Sequence, residues 1–437
     1  MDAGITLRAE AIRWEDPDMT GKRTDVVVIG AGVVGVACAY YAAAAGARVR
    51  VLDQRWIAGG ASYGNAGLLV PSHCEPLSSP GIVARGLREL LNPDGAFTLR
   101  PRPDLGFARW LLAFRRHCNE GHYRRALEIH TRLNRISNTC HEELAARGGD
   151  QYGYQRRGLL CPFFSAKALA VAERYTQRMR PLGIEFQVLG PNQVRRLEPS
   201  IQGPLAGATF GVADGRIDPC AFVHWLAHQA EELGVAIAAE TEVFGFDRGR
   251  RRVTTVVTSR GRLAADQVVI AAGAWTPLLT RLLHRRLPIE AAKGYSITYQ
   301  HSGQAPQIPV LLEEAAVAVT PLGDSVRLAG TLELAGLDLG IRRRRADAVE
   351  RNGKERIRGS HDWQPEEIWS GLRPCTPDGL PVLGRLGGYD NVFVAGGHAT
   401  KGMSQGPGTG KLLAELLGGA AIGALADQLS PRRFRSW

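Results

Sequence analysis

Apolar residues run unbroken through Val26, Val27, Val28 and Ile29, stop at a glycine turn, and resume at helical spacing through an alanine-rich stretch to Val49, Val51 and Leu52. Short strands that are apolar on every residue are buried on both faces, so the pattern predicts a βαβ unit in a parallel sheet. Farther on, Phe107, Trp110, Leu111, Phe114 and Cys118 share one helical face, with Arg109, Arg115 and Arg116 off it. From Tyr152 the pattern alternates: strands at 157–163, 186–189 and 206–210, with a helix at 166–182 between the first two. Asp218-Pro219 reads as an N-cap with proline at the first helical position, opening a helix over 220–233. Strands follow at 235–240, 253–257 and 267–270, then at 295–299, 310–312, 317–320 and 325–329. A last apolar strand, 392–395, runs into a glycine turn and a helix.

The turn in the first unit is GxGxxG, with Gly30 for the tight bend, Gly32 for close approach of a pyrophosphate and Gly35 for helix packing. Asp53 follows the second strand where a ribose hydroxyl would be held. This unit alone does not separate FAD from NAD. The small-residue loop Gly59 to Gly67 could lie flat against a large ring system, and the C-terminal turn, Gly396 to Met403, opens a helix whose N-terminus suits negative charge on a reduced flavin. Both favour a flavin. Ala272, Gly273, Ala274 and Trp275 form another small-residue turn at a strand end, returning the chain to the cofactor. The two domains therefore interleave.

At 437 residues and 44% apolar composition the chain can bury a large cofactor. Seven scattered cysteines without CxxC spacing fit a reducing, cytoplasmic compartment and give no metal motif. No apolar run is long enough to span a bilayer. Residues 1–23 lack periodicity and read as a disordered extension, with Met19 the favoured start. The net charge of +11 is carried almost wholly by arginine, since only six lysines occur. The arginines are dispersed, with one run at Arg342 to Arg345, and nucleic acid is not expected as a partner. The apolar face of the 107–118 helix reads first as packing on the core and the arginines as a solvated surface; the alternative is that this helix and the 342–345 run make peripheral contact with an anionic inner-membrane surface.

Between Trp369 and Pro381 one guanidinium, Arg373, stands in a rigid and otherwise almost charge-free string. It suits bidentate capture of a carboxylate; the alternative is a structural ion pair with Asp378. The GxGxxG unit, Ser62 to Gly67, Asp214 to Pro219, Ala272 to Trp275, Lys293-Gly-Tyr-Ser296, Trp369 to Asp378 and Gly397-His398 together resemble the D-amino-acid oxidase superfamily of flavoproteins. The Asn-Ala-Gly loop and Lys-Gly-Tyr-Ser look most like its bacterial D-amino-acid and D-hydroxyproline dehydrogenase branch.

The resemblance implies an α/β fold in which a Rossmann-type FAD-binding domain (24–80, 205–284 and 370–437) interleaves with a mixed β-sheet substrate domain (151–204 and 285–369), with a helical insertion at 81–150. It implies oxidative deamination of a D-amino acid, D-proline or hydroxy-D-proline among the candidates, by hydride transfer from Cα. Expected cofactor contacts are Gly30, Ala31, Gly32, Val33, Val34, Gly35, Asp53, Gln54, Ser62, Asn65, Ala66, Gly67, Leu68, Val243, Ala272, Gly273, Trp275, Gly371, Gly397, His398, Thr400, Lys401, Gly402 and Met403. Expected catalytic residues are Arg373, Tyr295, His398 and His73; Tyr295 is equally readable as core, and His398 as a buttress for the flavin. Sarcosine-oxidase relatives attach FAD through a cysteine where this chain has Gly371, so FAD is expected to be non-covalent. No lysine lies between Lys167 and Lys293, where those oxidases use one with oxygen, which favours a quinone or carrier as electron acceptor. The alternatives are a glycine- or sarcosine-type oxidase and the flavin module of an RNA-modifying protein.

Overall fold

The computed structural model describes residues 24–90, 92, 95–301, 304–420, 423–435 and 437. The N-terminal extension and the start at Met19 lie outside the described residues. The first strand, Thr24–Ile29, sits at the centre of a sheet, flanked in parallel by Val49–Leu52 and by Gly261–Ile270. Ala236–Ala238 extends the sheet on one side and Val392–Gly396 on the other, both parallel, and Val382–Arg385 closes the latter edge antiparallel. The N-terminal half of Gly261–Ile270 also forms a meander with Val253–Thr258 and Val243–Arg248. The 243–248 strand gives no sequence signal, because Gly245 and Asp247 interrupt its alternation. Helix Val33–Ala44 is buried along most of its length and packs against Gly402–Leu417, where a Cβ on Gly410 would come within 2.5 Å of the Ala37 backbone. Alanine and glycine there let the two backbones approach closely.

The second sheet has nine strands, ordered Gln364–Cys375, Glu290–Gln300, Ser325–Leu334, Val317–Leu322, Val310–Leu312, Leu159–Phe163, Gly207–Gly211 and Phe186–Leu189, with Phe97–Leu99 paired to Ser325–Leu334. Two of its strands differ from the sequence expectation. Gly207–Gly211 pairs with Leu159–Phe163 and Phe186–Leu189, so it belongs to the second sheet although it falls within the expected FAD-binding segment 205–284. Gln364–Cys375 is a twelve-residue strand crossing the expected boundary at 370, concealed in the sequence by Pro365, Gly371 and Pro374.

The helical insertion contains Ile82–Glu89, Leu105–His117 and the long helix Glu120–Gly148. The structure decides between the two readings of this surface. Phe107 and Trp110 are buried, and Trp110 stacks on Phe114 and donates from Nε1 to the Cys375 carbonyl, so this apolar stripe packs inward rather than meeting a membrane. The 342–345 run is not a free cationic patch: Arg342 pairs with Glu333, Arg343 with Asp347, and Arg345 is buried.

The long helix docks through histidines that act as backbone donors. His122 Nε2 meets the Asp378 carbonyl at 2.7 Å, His130 Nε2 the Gly379 carbonyl at 3.0 Å and His141 Nε2 the Met403 carbonyl at 3.0 Å. Burial pushes all three pKa values down, that of His141 to about 4, so each ring is neutral and its N–H donates. His398 is likewise held at about 4 by burial. Unfolded histidine protonates near pH 6.5 while folded His141 and His398 resist until about 4, so the unfolded state takes up protons first. Stability is full above about pH 6.5 and falls as the pH drops towards 4, by up to about 3 kcal/mol for each of His141 and His398, with His122 and His130 acting in the same direction. The urea midpoint is therefore expected to stay level from pH 7.5 to about 6.5 and to fall from there to pH 5, and His141→Gln to remove its share of that slope. A midpoint independent of pH over this interval would refute neutral docking.

Candidate functional site

A cavity of about 1550 Å³ runs between the two sheets. At one end lie Gly30, Gly32, Val33 and Val34 of the glycine turn, Asp53, Gln54 and Arg55 beyond the second strand, and Thr241, Val243, Ala272, Gly273 and Trp275. The glycines divide their work. A Cβ on Gly30, whose φ is +116°, would meet the Ala271 carbonyl oxygen at 2.4 Å, and one on Gly35 would meet that of Gly30 at 1.8 Å. These two serve close packing, whereas Gly32 faces the cavity, and a Cβ there would enter a space already edged by Ser62 Oγ at 3.3 Å. Asp53 binds the turn to the strand end: Oδ2 accepts from the Ala31 N–H at 2.7 Å and Oδ1 from Arg55 N–H at 2.8 Å. Its burial raises the carboxyl pKa despite both donors. Ser62 Oγ accepts from the Val33 N–H at 3.0 Å.

The middle of the cavity is lined by Ser62, Gly64, Asn65, Ala66 and Leu68, facing Gly371 and the turn His398, Thr400, Lys401, Gly402 and Met403. Arg327 braces the loop from outside, donating from Nη1 to the carbonyls of Tyr63 and Asn65. Trp369 lies flat across Gly64 and Gly371: a Cβ on Gly64 would come within 2.3 Å of its ring, and one on Gly371 within 1.9 Å. Four expected contacts, Ala31, Gly35, Gly67 and Gly397, lie outside the cavity lining and shape the turns behind it. Gly67 has φ +70° and a Cβ there would meet the Ile217 carbonyl at 2.2 Å, while Gly397 has φ +75° against Thr376. A long cavity with a glycine turn, a strand-end acid and a flat loop fits a flavin dinucleotide.

Arg373 faces this cavity from strand Gln364–Cys375. It has no carboxylate partner among the described residues, because Asp378 is taken by Arg433, whose Nε lies 2.6 Å from Oδ2. The Arg373–Asp378 pair is thereby excluded. The Arg373 guanidinium lies against the Gly294 backbone of the neighbouring strand, where a Cβ would stand 2.1 Å from Nη1. Opposite Gly294 the ladder carries a bulge: Lys293 pairs with Glu333 but Tyr295 with Gly330. Thr331, in the bulge, adopts φ +63°, a strained conformation for a β-branched residue, and its carbonyl accepts from Arg373 Nη1 at 2.7 Å. Burial lowers the Arg373 pKa, the direction expected when a charge is held ready without a counterion.

The other expected catalytic residues have different surroundings. Tyr295 borders the cavity, but its side chain is almost wholly buried and its hydroxyl donates to Glu333 at 2.8 Å. Strand parity puts it with Lys293 on the face opposite Arg373, where Lys293 Nζ donates to Asp338 and to the Gly340 carbonyl. His398 Nε2 lies 2.9 Å from Thr409 Oγ1, and the ring is neutral, which suits a buttress better than a base. His73 is in the cavity wall among acids, with Nδ1 on Ser72 Oγ at 3.0 Å and Nε2 3.6 Å from Glu313 Oε1. Burial disfavours its charge, but Glu313 and Asp214 outweigh burial and raise its pKa. Lys401 Nζ donates to the Glu75 carbonyl at 2.6 Å and burial lowers its pKa.

The sequence gives no sign of Thr331, of the roles of Gly294 and Gly64, or of the apolar end of the cavity built by Ile82–Glu89, Phe97–Leu99 and Leu105–His117. Only a turn angle or a register shift reveals the first. Gly294→Ala is expected to displace the guanidinium and lower catalytic efficiency about tenfold to a hundredfold, with cofactor content unchanged. Full efficiency in that variant would show that the guanidinium does not need its glycine bed.

The FAD dependent oxidoreductase family profile matches residues 25–416. The D-amino acid dehydrogenase of Granulibacter bethesdensis is 34% identical over 400 residues, 90% of this chain and 96% of that one. That of Methylobacterium nodulans is 35% identical over 416 residues, 94% and 99% of the two chains. Among solved structures, glycine oxidase from Bacillus cereus aligns with a TM-score of 0.75 at 22% identity over 93% of this chain and 98% of its own. L-proline dehydrogenase from P. horikoshii aligns with a TM-score of 0.73 at 20% identity over 95% and 99%. The sheet order, the cavity and the matched span agree, and the chain belongs to the FAD-dependent oxidoreductase family.

Proposed function

We propose that this enzyme oxidises a D-amino acid, with Arg373 holding the substrate carboxylate. The observation that carries the reading is a cavity-facing guanidinium with no acid to neutralise it among the described residues. Nη1 is occupied by the Thr331 carbonyl, which fixes the plane of the fork and leaves Nε and Nη2 for a carboxylate. Gly294 removes the side chain that would otherwise lift the guanidinium out of that plane. FAD, when bound, would supply a hydride acceptor for the substrate Cα; with the amine bound neutral, hydride loss would leave an iminium, which water hydrolyses to a 2-oxo acid and ammonium. The D configuration rests on the relatives named above. In this reading Gly32, Val33 and Val34 meet the pyrophosphate, Asp53 the ribose, and Gln54, Val243 and Trp275 the adenine end. The Ser62–Leu68 loop, Gly371 and Thr400–Met403 flank the ring, with His398 supporting that turn.

Anaerobic mixing with D- and L-amino acids, glycine and sarcosine should bleach the flavin fastest with a D-amino acid. Arg373→Ala is expected to lose about 2–5 kcal/mol of transition-state binding, with Arg373→Lys intermediate because a point charge cannot reproduce the fork. Unchanged efficiency in the Ala variant, or bleaching by L-amino acids alone, would overturn the reading.

FAD is proposed to be non-covalent, since Gly371 offers no nucleophile and Cys375 is buried with its thiol on the Arg373 carbonyl. Acid precipitation should therefore release free FAD. A quinone or carrier is the proposed acceptor, and the apolar end of the cavity, at Leu87, Leu90, Leu111 and Phe114, suits a quinone ring. No helix among the described residues is long and apolar enough to cross a membrane. Peripheral contact would use the exposed Leu87, Leu105 and Leu112 with Arg85, Arg88 and Arg115 around them. Reduced enzyme should reoxidise faster with a soluble quinone than with air and co-sediment with anionic vesicles at low salt; rapid peroxide formation in air would refute the first, and failure to co-sediment the second.

A further inference from the structure

We propose that His73, Cys161 and Glu313 form a three-ligand site for a divalent transition-metal ion such as Zn²⁺, with its fourth position open to the cavity. Cys161 lies on strand Leu159–Phe163, and Glu313 directly follows Val310–Leu312, which pairs with that strand through Val310 and Leu160. His73 reaches the same point from the loop after Leu68–Leu69. One ligand atom from each lies within 4.8 Å of the others. His73 Nε2 is 3.8 Å from Cys161 Sγ and 3.6 Å from Glu313 Oε1. The nitrogen–oxygen separation is too long for a hydrogen bond. Tetrahedral zinc with ordinary Zn–N, Zn–S and Zn–O bonds holds such atoms about 3.4–3.6 Å apart, so the two distances from His73 need shifts of only a few tenths of an ångström, and the thiol and carboxylate, within 4.8 Å of each other, close on the ion by rotation of the exposed Glu313 side chain.

A second observation is independent of these distances. His73 Nδ1 lies 3.0 Å from Ser72 Oγ, and that hydroxyl in turn donates to Asp214. The chain Nδ1–H to Ser72 to Asp214 places the ring proton on Nδ1 and turns the Nε2 lone pair towards the thiol and the carboxylate. Metal-bound histidines are commonly oriented in this way by a carboxylate behind the ring. The Ser72 N–H also donates to Asp214 Oδ1 at 3.0 Å, so the supporting group is itself fixed. Thiolate, imidazole and carboxylate together favour zinc or cobalt over magnesium or calcium. Thiolate and carboxylate would balance the ion's charge. Once bound, it would fasten the 70–75 loop to the second sheet. His73 and Glu313 both line the cavity, so the ion has a route in. None of this depends on the identity of the amino-acid substrate.

The test is equilibrium dialysis of the FAD-loaded protein against Zn²⁺, with metal and flavin both quantified. Wild type is expected to retain about one equivalent of zinc per chain. Glu313→Gln, an exposed position at which folding is not at stake, should bind at least tenfold more weakly, and Cys161→Ser should retain almost none. Ser72→Ala should weaken binding about tenfold to a hundredfold by releasing the ring. Cys118→Ser, outside the cluster, should bind as wild type does. Zinc should raise the melting temperature of wild type and leave that of Cys161→Ser unchanged. A wild type without zinc, or zinc equally retained by Glu313→Gln and Cys161→Ser at full flavin content, would overturn the proposal.

Discussion

The ion pair between Asp378 and Arg433 decides what the rest of the molecule can do. Asp378 is almost fully buried, and burial alone would raise its carboxyl pKa; Arg433, through charge and hydrogen bonding, holds it below the ordinary value. The same guanidinium also donates to the carbonyls of Leu380, Pro381 and Leu429. Such a buried pair adds little over well-packed apolar groups, but an unpaired member would be costly, so the arrangement works as a specifier of geometry. It fastens the C-terminal segment to the turn after strand Gln364–Cys375. The Asp378 carbonyl meanwhile accepts from Ser78 and from His122, joining the flavin-side loop and the long helix at one residue.

Asp378 is held by Arg433, and Arg373, without a carboxylate partner among the described residues, faces the cavity. The strand bearing it is tied to the cofactor side by the Ala399 N–H, which donates to the Pro374 carbonyl at 2.9 Å, and by the bridge between Cys375 and His398. The substrate group and the flavin-side turn are thus registered to each other through backbone hydrogen bonds, which tolerate little drift. Histidines in this region are neutral structural donors wherever they are deeply buried. His73, at the cavity wall beside Asp214 and Glu313, is the exception, with its pKa raised.

Elements whose apolar residues are contiguous were legible in the sequence. The strands at Thr24–Ile29 and Val392–Gly396 and the helix capped by Asp218 follow directly from pattern and caps, and the Asp218 side chain does accept from the Ala221 N–H. Gln364–Cys375 was not legible, since its N-terminal half faces solvent with Glu366 and Glu367 and its C-terminal half spends two positions, Gly371 and Pro374, on geometry. At the site, the glycine turn and Arg373 could be found from local chemistry. What surrounds Arg373 could not: Thr331 matters through a backbone angle, and Cys161 and Glu313 meet His73 only through strand pairing between distant segments. The apolar face of the 107–118 helix was visible, but its partner was not, because amphipathicity does not say whether protein or lipid covers a stripe.

Gly294 carries a consequence for how such a site can change over time. Its missing side chain is filled by the guanidinium of another strand, so the two positions occupy one volume between them. A lineage that acquired a side chain at 294 first would lose the anchor, and one that shortened Arg373 first would leave a void at the cavity wall. Substitutions at the two sites should therefore travel together among relatives, and a chain of this fold with a bulky residue at the position of Gly294 is expected to grip its substrate by some means other than this arginine.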